Sequence, residues 1–319
     1  MNEDTLSSAS DSLSTALMKM KLRAFVHLAL DAGGVWAVDF PSLDGFGLNV
    51  VQKGECWLTV AGNRRPIRLR TGDCFLLTGK STFTLARDRA PKKRTRVIDL
   101  FGRAKDGVVT CQGGGDVYVV GTLFRFEGPF AEIAFGRLPP VIHIAGDSDQ
   151  AAVLRWSLDR FAAELRGRGI GRSLILSHLA PIMLLQTLRI YLSSAGKDQN
   201  WLVALSDPRL SKVLEAMQSE FKRAWSLEAF AHLAGMSRSG FALTFKKKVG
   251  VAPMDYLTSW RMQVACELLQ TDQTVSAIAA AVGYVSESAF SAAFNKIVAC
   301  RPGAYRRAAV AKEHTAPRS

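Results

Sequence analysis

Apolar residues along this chain follow two different rhythms. Between residues 21 and 145 they come in short runs such as "ECWLTVAG", "RPIRLRTGDCFLLTG", "TRVIDLFG" and "DVYVVG", rich in Val, Phe, Leu and Thr. Gly-containing turn signals separate these runs at roughly 8–15 residue intervals, which predicts an all-β sandwich or barrel. After "PPVIHIAGDSD" (139–149) the rhythm changes. Apolar positions three and four apart in 151–167 and 173–194 predict helices. "SSAGKDQN" (193–200) reads as a linker, and 208–300 has helical spacing throughout. The expected class is therefore α+β, a β-barrel or sandwich followed by helices and an all-α C-terminal part.

The C-terminal part repeats itself. "LEAFAHLAGMSRSGFALTFKKKVGVAPMDYL" (227–257) aligns with "VSAIAAAVGYVSESAFSAAFNKIVACRPGAYR" (275–306). Ser237, Ser239, Phe241, Phe245, Pro253 and Tyr256 match Ser286, Ser288, Phe290, Phe294, Pro302 and Tyr305 at an offset of 49 residues. Each copy reads as a short helix, a turn containing Gly235 or Gly283, and a Ser-capped second helix, the helix-turn-helix pattern. Ser226 and Thr274 are the expected N-caps of the first helices, Ser237 and Ser286 of the second. At 100° per residue, Phe241, Phe245 and Val249 share one face, as do Phe290, Phe294 and Val298. Opposite them lie Ser239, Ala242, Leu243, Lys246 and Lys247 in one copy and Ser288, Ser291, Ala292, Asn295 and Lys296 in the other. Residues 254–270 read as a linking helix of about 25 Å, at ~1.5 Å per residue. Such a connector suits two recognition helices one duplex turn apart, roughly 34 Å.

Composition adds a bias rather than a function. The chain has 319 residues, 41 Lys and Arg against 28 Asp and Glu, and a net charge of +13. That favours a polyanionic partner. Residues 201–319 hold 15 basic and 9 acidic side chains, a denser excess than the 26 against 19 before them. The five cysteines, Cys56, Cys74, Cys111, Cys266 and Cys300, are widely spaced, as expected in a reducing compartment. Acidic residues at the N-terminus do not suit a signal peptide. The most apolar run, 173–192, is interrupted by His178, Pro181, Gln186 and Arg189 and reads as a buried or interface helix, with no membrane partner. Its expected buried stripe is Leu174, Leu179, Ile182, Leu185, Leu188 and Leu192. A cytoplasmic protein is expected.

The passage "WSLEAFAHLAGMSRSGFALTFKKKVGVAPMDYLTSWRMQVACELL", continued by "SAIAAAVGYVSESAFSAAF", resembles the double helix-turn-helix domain of AraC/XylS-type transcriptional regulators. The likeness covers about 208–307. "GECWLTVAG", "RLRTGDCFLLTGKSTFTL" and "LPPVIHIAG" are similar to the cupin-like domain of one branch of that family. The resemblance implies a tail (1–20), a cupin-like sensor and dimerisation domain (21–145), a helical connector with dimerisation helices (146–200), a double helix-turn-helix domain (201–307) and a second tail (308–319). It implies double-stranded DNA and RNA polymerase as partners, a homodimer, and a small-molecule effector as a candidate ligand, with both activator and repressor open as its mode. Four positions depart from the family pattern. Its glycine after the second recognition helix is Ala299, its frequent outward Arg is Leu243 or Ala292, and a common cupin His is Phe83.

The expected DNA-contacting set is Arg238, Ser239, Ala242, Leu243, Lys246 and Lys247 in the first copy, with Ser286, Glu287, Ser288, Ser291, Ala292, Asn295 and Lys296 in the second. The alternative for these is an exposed helix face, and for Lys246–Lys248 a solvated one. Ser and Asn can bond base edges or phosphates, Ala can touch only a thymine methyl, and Lys contributes salt-dependent affinity. Arg306 and Arg307 are further phosphate candidates, whereas Arg261 suits a structural pairing equally. "RRPIRLR" and "PKKRTR" are basic patches outside the repeat, and thiol sensing by Cys56, Cys74 or Cys111 lacks a motif that depresses a thiol pKa. An enzyme of the cupin type needs clustered imidazoles. The five histidines, His27, His143, His178, His232 and His314, form no HxH or HxxxH pair. No catalytic residue, metal or cofactor is therefore expected. The rival reading is a metal-independent cupin-type binding protein, or a non-specific DNA- or membrane-surface binder.

Overall fold

The computed structural model describes residues 12–42, 45–63, 65–79, 81–102, 104–105, 107–148, 151–167, 169–194 and 200–315. The chain divides into two compact units. One comprises residues 22–125 with 138–196, the other 1–21, 126–137 and 197–319.

The first unit holds β1 (Arg23–Ala32), β2 (Ala37–Phe40), β3 (Phe46–Lys53), β4 (Glu55–Val60), β5 (Ile67–Arg70), β6 (Cys74–Thr78), β7 (Phe83–Ala86), β8 (Thr95–Arg96), β9 (Val108–Cys111), β10 (Val117–Arg125) and β11 (Val141–Ile144). They form a six-stranded sheet in the order β11-β6-β3-β10-β1-β9 and a five-stranded sheet in the order β5-β4-β7-β2-β8. Period-two alternation points one face of each sheet into a shared apolar core. Leu30, Val51, Phe75, Val109 and Val119 enter it from the larger sheet, and Val38, Leu58, Val60, Phe83 and Leu85 from the smaller. Phe83 stacks on Phe40 with ring centres 4.4 Å apart. An aromatic pair thus fills the position where a cupin commonly has an imidazole.

The same unit contains α2 (Val97–Phe101), α4 (Ala151–Arg166) and α5 (Arg172–Ser194). Helices α4 and α5 pack on one another, and α5 also lies against β1 and β11. The buried stripe of α5 differs from the expected one: Leu176, Leu179, Met183, Leu184, Leu188 and Tyr191 are buried, whereas Leu174 and Ile182 are 65% and 45% exposed. The helix is apolar nearly all round, so periodicity alone left its inward direction open.

The second unit holds α1 (Ser12–Lys19), α3 (Phe130–Phe135), α6 (Trp201–Leu205), α7 (Pro208–Ser219), α8 (Leu227–Leu233), α9 (Arg238–Val249), α10 (Pro253–Leu268), α11 (Val275–Ala281), α12 (Glu287–Val298) and α13 (Pro302–Thr315). Three features differ from the expected layout. Residues 12–19, expected within a tail, form α1, with Leu13, Ala16 and Leu17 buried. Residues 126–137, expected within the β domain, belong to the helical unit. Helix α13 continues through 308–315, the start of the expected second tail. Residues 195–199 of the expected linker, 1–11 of the first tail and 316–319 lie outside the described residues.

The physical cause of the second difference is Phe130. Its ring meets Trp260, Tyr256 and Trp201 edge-on, at 4.9, 5.2 and 5.8 Å. Gln263 of α10 then ties the segments together. Its Nε2 donates to the Lys19 and Glu127 carbonyls at 2.8 and 2.9 Å, and its Oε1 accepts from the Phe130 amide at 3.2 Å. Every polar atom of that buried amide side chain is therefore used.

Candidate nucleic-acid interface

Each helix-turn-helix copy is assembled by local signals that repeat in detail. Ser226 and Thr274 accept from the Ala229 and Ala277 amides and start α8 and α11. Ser237 and Ser286 accept from Gly240 and Ala289 and start α9 and α12. The turns need left-handed backbone, supplied by Gly235 at φ +62° and Gly283 at φ +83°. In both turns the following amide, Met236 or Tyr284, reaches back five residues to the carbonyl of Ala231 or Ala279, at 2.9 Å.

The phenylalanine ladder repeats as well. Phe241 and Phe245 lie 5.6 Å apart and Phe290 and Phe294 5.7 Å apart, and each ladder ends edge-on against Tyr256 or Tyr305 at 5.7 Å. All four phenylalanines are fully buried. Val249 is buried too, while its counterpart Val298 is only half-buried. Helix α10 joins the copies over 16 residues, about 24 Å at ~1.5 Å per residue. Arg261 on it bonds the Phe221 and Arg223 carbonyls at 2.8 and 2.9 Å, so it braces the fold.

With the ladders inward, the opposite faces are turned to solvent. Arg238, Ser239, Leu243, Lys246 and Lys247 are exposed and Ala242 half-buried on α9. On α12, Glu287, Ser288, Ala292, Asn295 and Lys296 are exposed and Ser291 half-buried. Ser286 is exposed, but its hydroxyl is committed to the cap. Arg238 pairs with Glu228 at 2.9 Å across an exposed surface, where such a pair is weak and easily exchanged. Lys248 differs from its two neighbours. It bonds the largely buried Asp207 carboxylate at 2.7 Å, which gives it a structural role. Burial works to raise the Asp207 carboxyl, but bonds from Lys248 and the Arg209 amide outweigh it and hold the group at about 2. Arg306 likewise spends its guanidinium on the Leu269 and Gln273 carbonyls; Arg307 is exposed.

One exposed residue was not singled out in the sequence. Val285 stands fully exposed in the turn before α12, and Leu243 is 72% exposed on α9. Both offer methyl groups beside the polar face, suited to thymine methyls. An apolar residue one place before a Ser cap normally packs inward as a staple, which is why pattern alone hides Val285.

Other sequence candidates fall elsewhere. Burial pushes the thiols of Cys56, Cys74 and Cys266 up to about 12 and raises that of Cys111, opposite to what a reactive thiolate needs. In the basic patches, Arg68 pairs with Glu55, Arg94 with Asp39 and Arg96 with Asp99. A cleft of about 750 Å³ against the five-stranded sheet includes Asp39, Thr84, Arg94 and Arg96; Asp39 pairs with Arg94 and accepts from the Thr84 hydroxyl, and Arg96 pairs with Asp99. His27 contacts Thr122 and His143 contacts Asp73. Among the described residues no group of three or more His, Cys, Asp or Glu gathers as metal ligands.

Known proteins match this arrangement along nearly its whole length. Residues 11–193 match the cupin family and residues 230–308 the helix-turn-helix domain family. A protein of Streptomyces lividans described as an AraC-like transcription regulator is 38% identical over 302 residues, covering 93% of this chain and 98% of that one. A second, from Streptomyces antibioticus, is 36% identical over 301 residues, with the same coverage. The transcriptional regulator AlkR of Acinetobacter baylyi is 28% identical over 306 residues, covering 93% of this chain and 99% of its own. These are regulators rather than members of an enzyme family. The chain belongs to the AraC-like family of DNA-binding transcription regulators, with a cupin domain followed by a helix-turn-helix domain.

Proposed function

We propose that α9 and α12 are paired recognition helices that enter successive major grooves and select particular promoters. The observation that supports this best is the duplicated unit itself, with two identical internal ladders and two outward faces on one rigid connector. Asn295, Ser239, Ser288 and Ser291 carry base or phosphate hydrogen bonds, Ala242, Leu243 and Ala292 sit against thymine methyls, and Lys246, Lys247, Lys296 and Arg238 sit beside phosphates. Ser286 and Glu287 lie at the helix entrance, where Ser286 keeps its capping role. In this reading 201–307 is the DNA-binding region, and the β-rich unit carries response to a small effector.

The outer side of α4 and α5 supports self-association: Trp156, Leu174 and Ile182 are 69%, 65% and 45% exposed. A homodimer presents four recognition helices and works with RNA polymerase in the cytoplasm, without catalysis. Mapping bound genomic sites and titrating one of them against random duplex tests the reading. Specific binding is expected to be at least ~10³-fold tighter at physiological salt. Equal affinity for both duplexes refutes it in favour of non-specific charge binding.

A further inference from the structure

We propose that a cavity on the outer face of the six-stranded sheet binds a compact anion, a carboxylate or phosphate group on a small molecule. The cavity is about 300 Å³ and includes His27, Val108, Tyr118, Leu165, Arg172 and Ser173. It is separate from the sandwich interior. Leu28, Leu30, Val117 and Val119 belong to the core side of β1 and β10, so strand alternation turns His27 and Tyr118 the other way. Its size is at the lower end of ligand sites, which suits a small metabolite rather than a lipid.

The chemistry of the walls is that of an anion site. Arg172 opens the 23-residue α5 with Ser173 beside it, so the positive end of a long helix meets the cavity. The Arg172 Nη2 donates to the Leu165 carbonyl at 2.9 Å, while its Nε–H is buried with no acceptor among the described residues. The half-buried guanidinium of Arg172 lines the cavity, and its accessible edge offers N–H donors to an oxyanion. His27 engages Thr122 through Nδ1 at 2.9 Å; burial first, and the Arg172 charge second, keep its ring neutral. Tyr118 contributes a hydroxyl that burial holds protonated, with Arg166 pulling its pKa down and Asp31 pushing it up. Among the described residues no carboxylate lines the cavity, and the nearby Asp31 carboxylate accepts from the Gly115 amide at 2.7 Å.

This inference rests on the effector-responsive reading and names its ligand class. The strands carrying His27 and Tyr118 are paired along their length. In the chain, β1 follows α1 and β10 runs directly into residues 126–137. Within the helical unit those two segments bond each other, Glu127 amide to Met20 carbonyl at 2.7 Å, and both are held by Gln263 of the connector α10. An anion that braces β1 against β10 is therefore placed to act, through chain continuity, on the two segments held by Gln263 of α10.

The test is calorimetric titration of the full chain with inorganic phosphate and with benzoate, each against chloride at equal ionic strength. Saturable binding of at least one, at one site per chain, is expected. Arg172→Gln should weaken it by at least tenfold and Tyr118→Phe several-fold; the second variant leaves the Leu165 bond intact and guards against a mere loosening of α5. No saturable binding of either anion, or unchanged binding in both variants, overturns the site. Occupancy at mapped genomic sites, measured with and without the bound anion, separates the broader reading. Unchanged occupancy alongside intact binding overturns the effector role and leaves the anion site standing.

Discussion

Replacing Ala299 by glycine is expected to stabilise the second helix-turn-helix copy, and the reciprocal Gly250→Ala to destabilise the first. The two residues terminate α12 and α9 in left-handed backbone, at φ +60° for Ala299 and φ +103° for Gly250. Each amide bonds back to the equivalent carbonyl, of Asn295 or Lys246, at 3.0 Å. A side chain in that conformation costs about 1–2 kcal/mol because its Cβ crowds the following carbonyl. Glycine removes this strain but adds roughly 0.4–1 kcal/mol of unfolded-state entropy, so the net gain for Ala299→Gly is about 0.5–1 kcal/mol. At Gly250 the signs reverse, and a Cβ would also stand 2.6 Å from Cδ of Arg137, which must move. The expected loss there is about 0.5–1 kcal/mol, with any cost of displacing Arg137 added. Native-state hydrogen exchange of the full chain, read on peptides from α9 and α12, measures both, with β3 and β10 peptides as internal controls. Reduced protection of α12 in Ala299→Gly, or unaltered α9 in Gly250→Ala, would refute the strain argument.

Three further outcomes are expected. Phe294→Ala empties a fully buried ring site and should cost about 3–5 kcal/mol, seen as loss of helical circular dichroism and of all DNA binding rather than altered preference. The double variant Lys246→Ala, Lys247→Ala should lower affinity uniformly across sequences and reduce the salt slope by about 1.8, whereas Asn295→Ala should change site preference by about 1–3 kcal/mol at one position; fluorescence anisotropy over a salt series distinguishes them. Asp207 has a folded pKa of about 2, below an unfolded carboxylate near ~3.9. Its contribution is therefore complete above about pH 4 and lost as pH falls toward 2. Asp207→Asn, which can still cap α7, should be less stable than the parent at pH 7 and equally stable near pH 2 in urea titrations; a constant difference across that range would contradict the pairing with Lys248.

The sequence by itself determined what depends on spacing within a turn or two. The caps at Ser226, Ser237, Thr274 and Ser286, the two phenylalanine ladders and the outward faces opposite them follow from i,i+3 and i,i+4 geometry, and the repeat doubles the signal. Short apolar runs between regularly spaced turn signals in the first half likewise pointed to a β sandwich or barrel. Tertiary structure alone decided the rest. "FRFEGPFAEIAFG" offers no local cue that Phe130 belongs among Trp201, Tyr256 and Trp260, nor that α1 shares Gln263 with it, because those partners come from distant parts of the chain. The inward direction of α5 was set by docking on α4 and β1, since a helix apolar on nearly every side has no preferred face. His27, Tyr118 and Arg172 meet only through the register of β1 on β10 and the placement of the start of α5. Spacing encodes local backbone and helix faces; convergence of distant polar groups is a product of strand register and packing, which no short window of sequence contains.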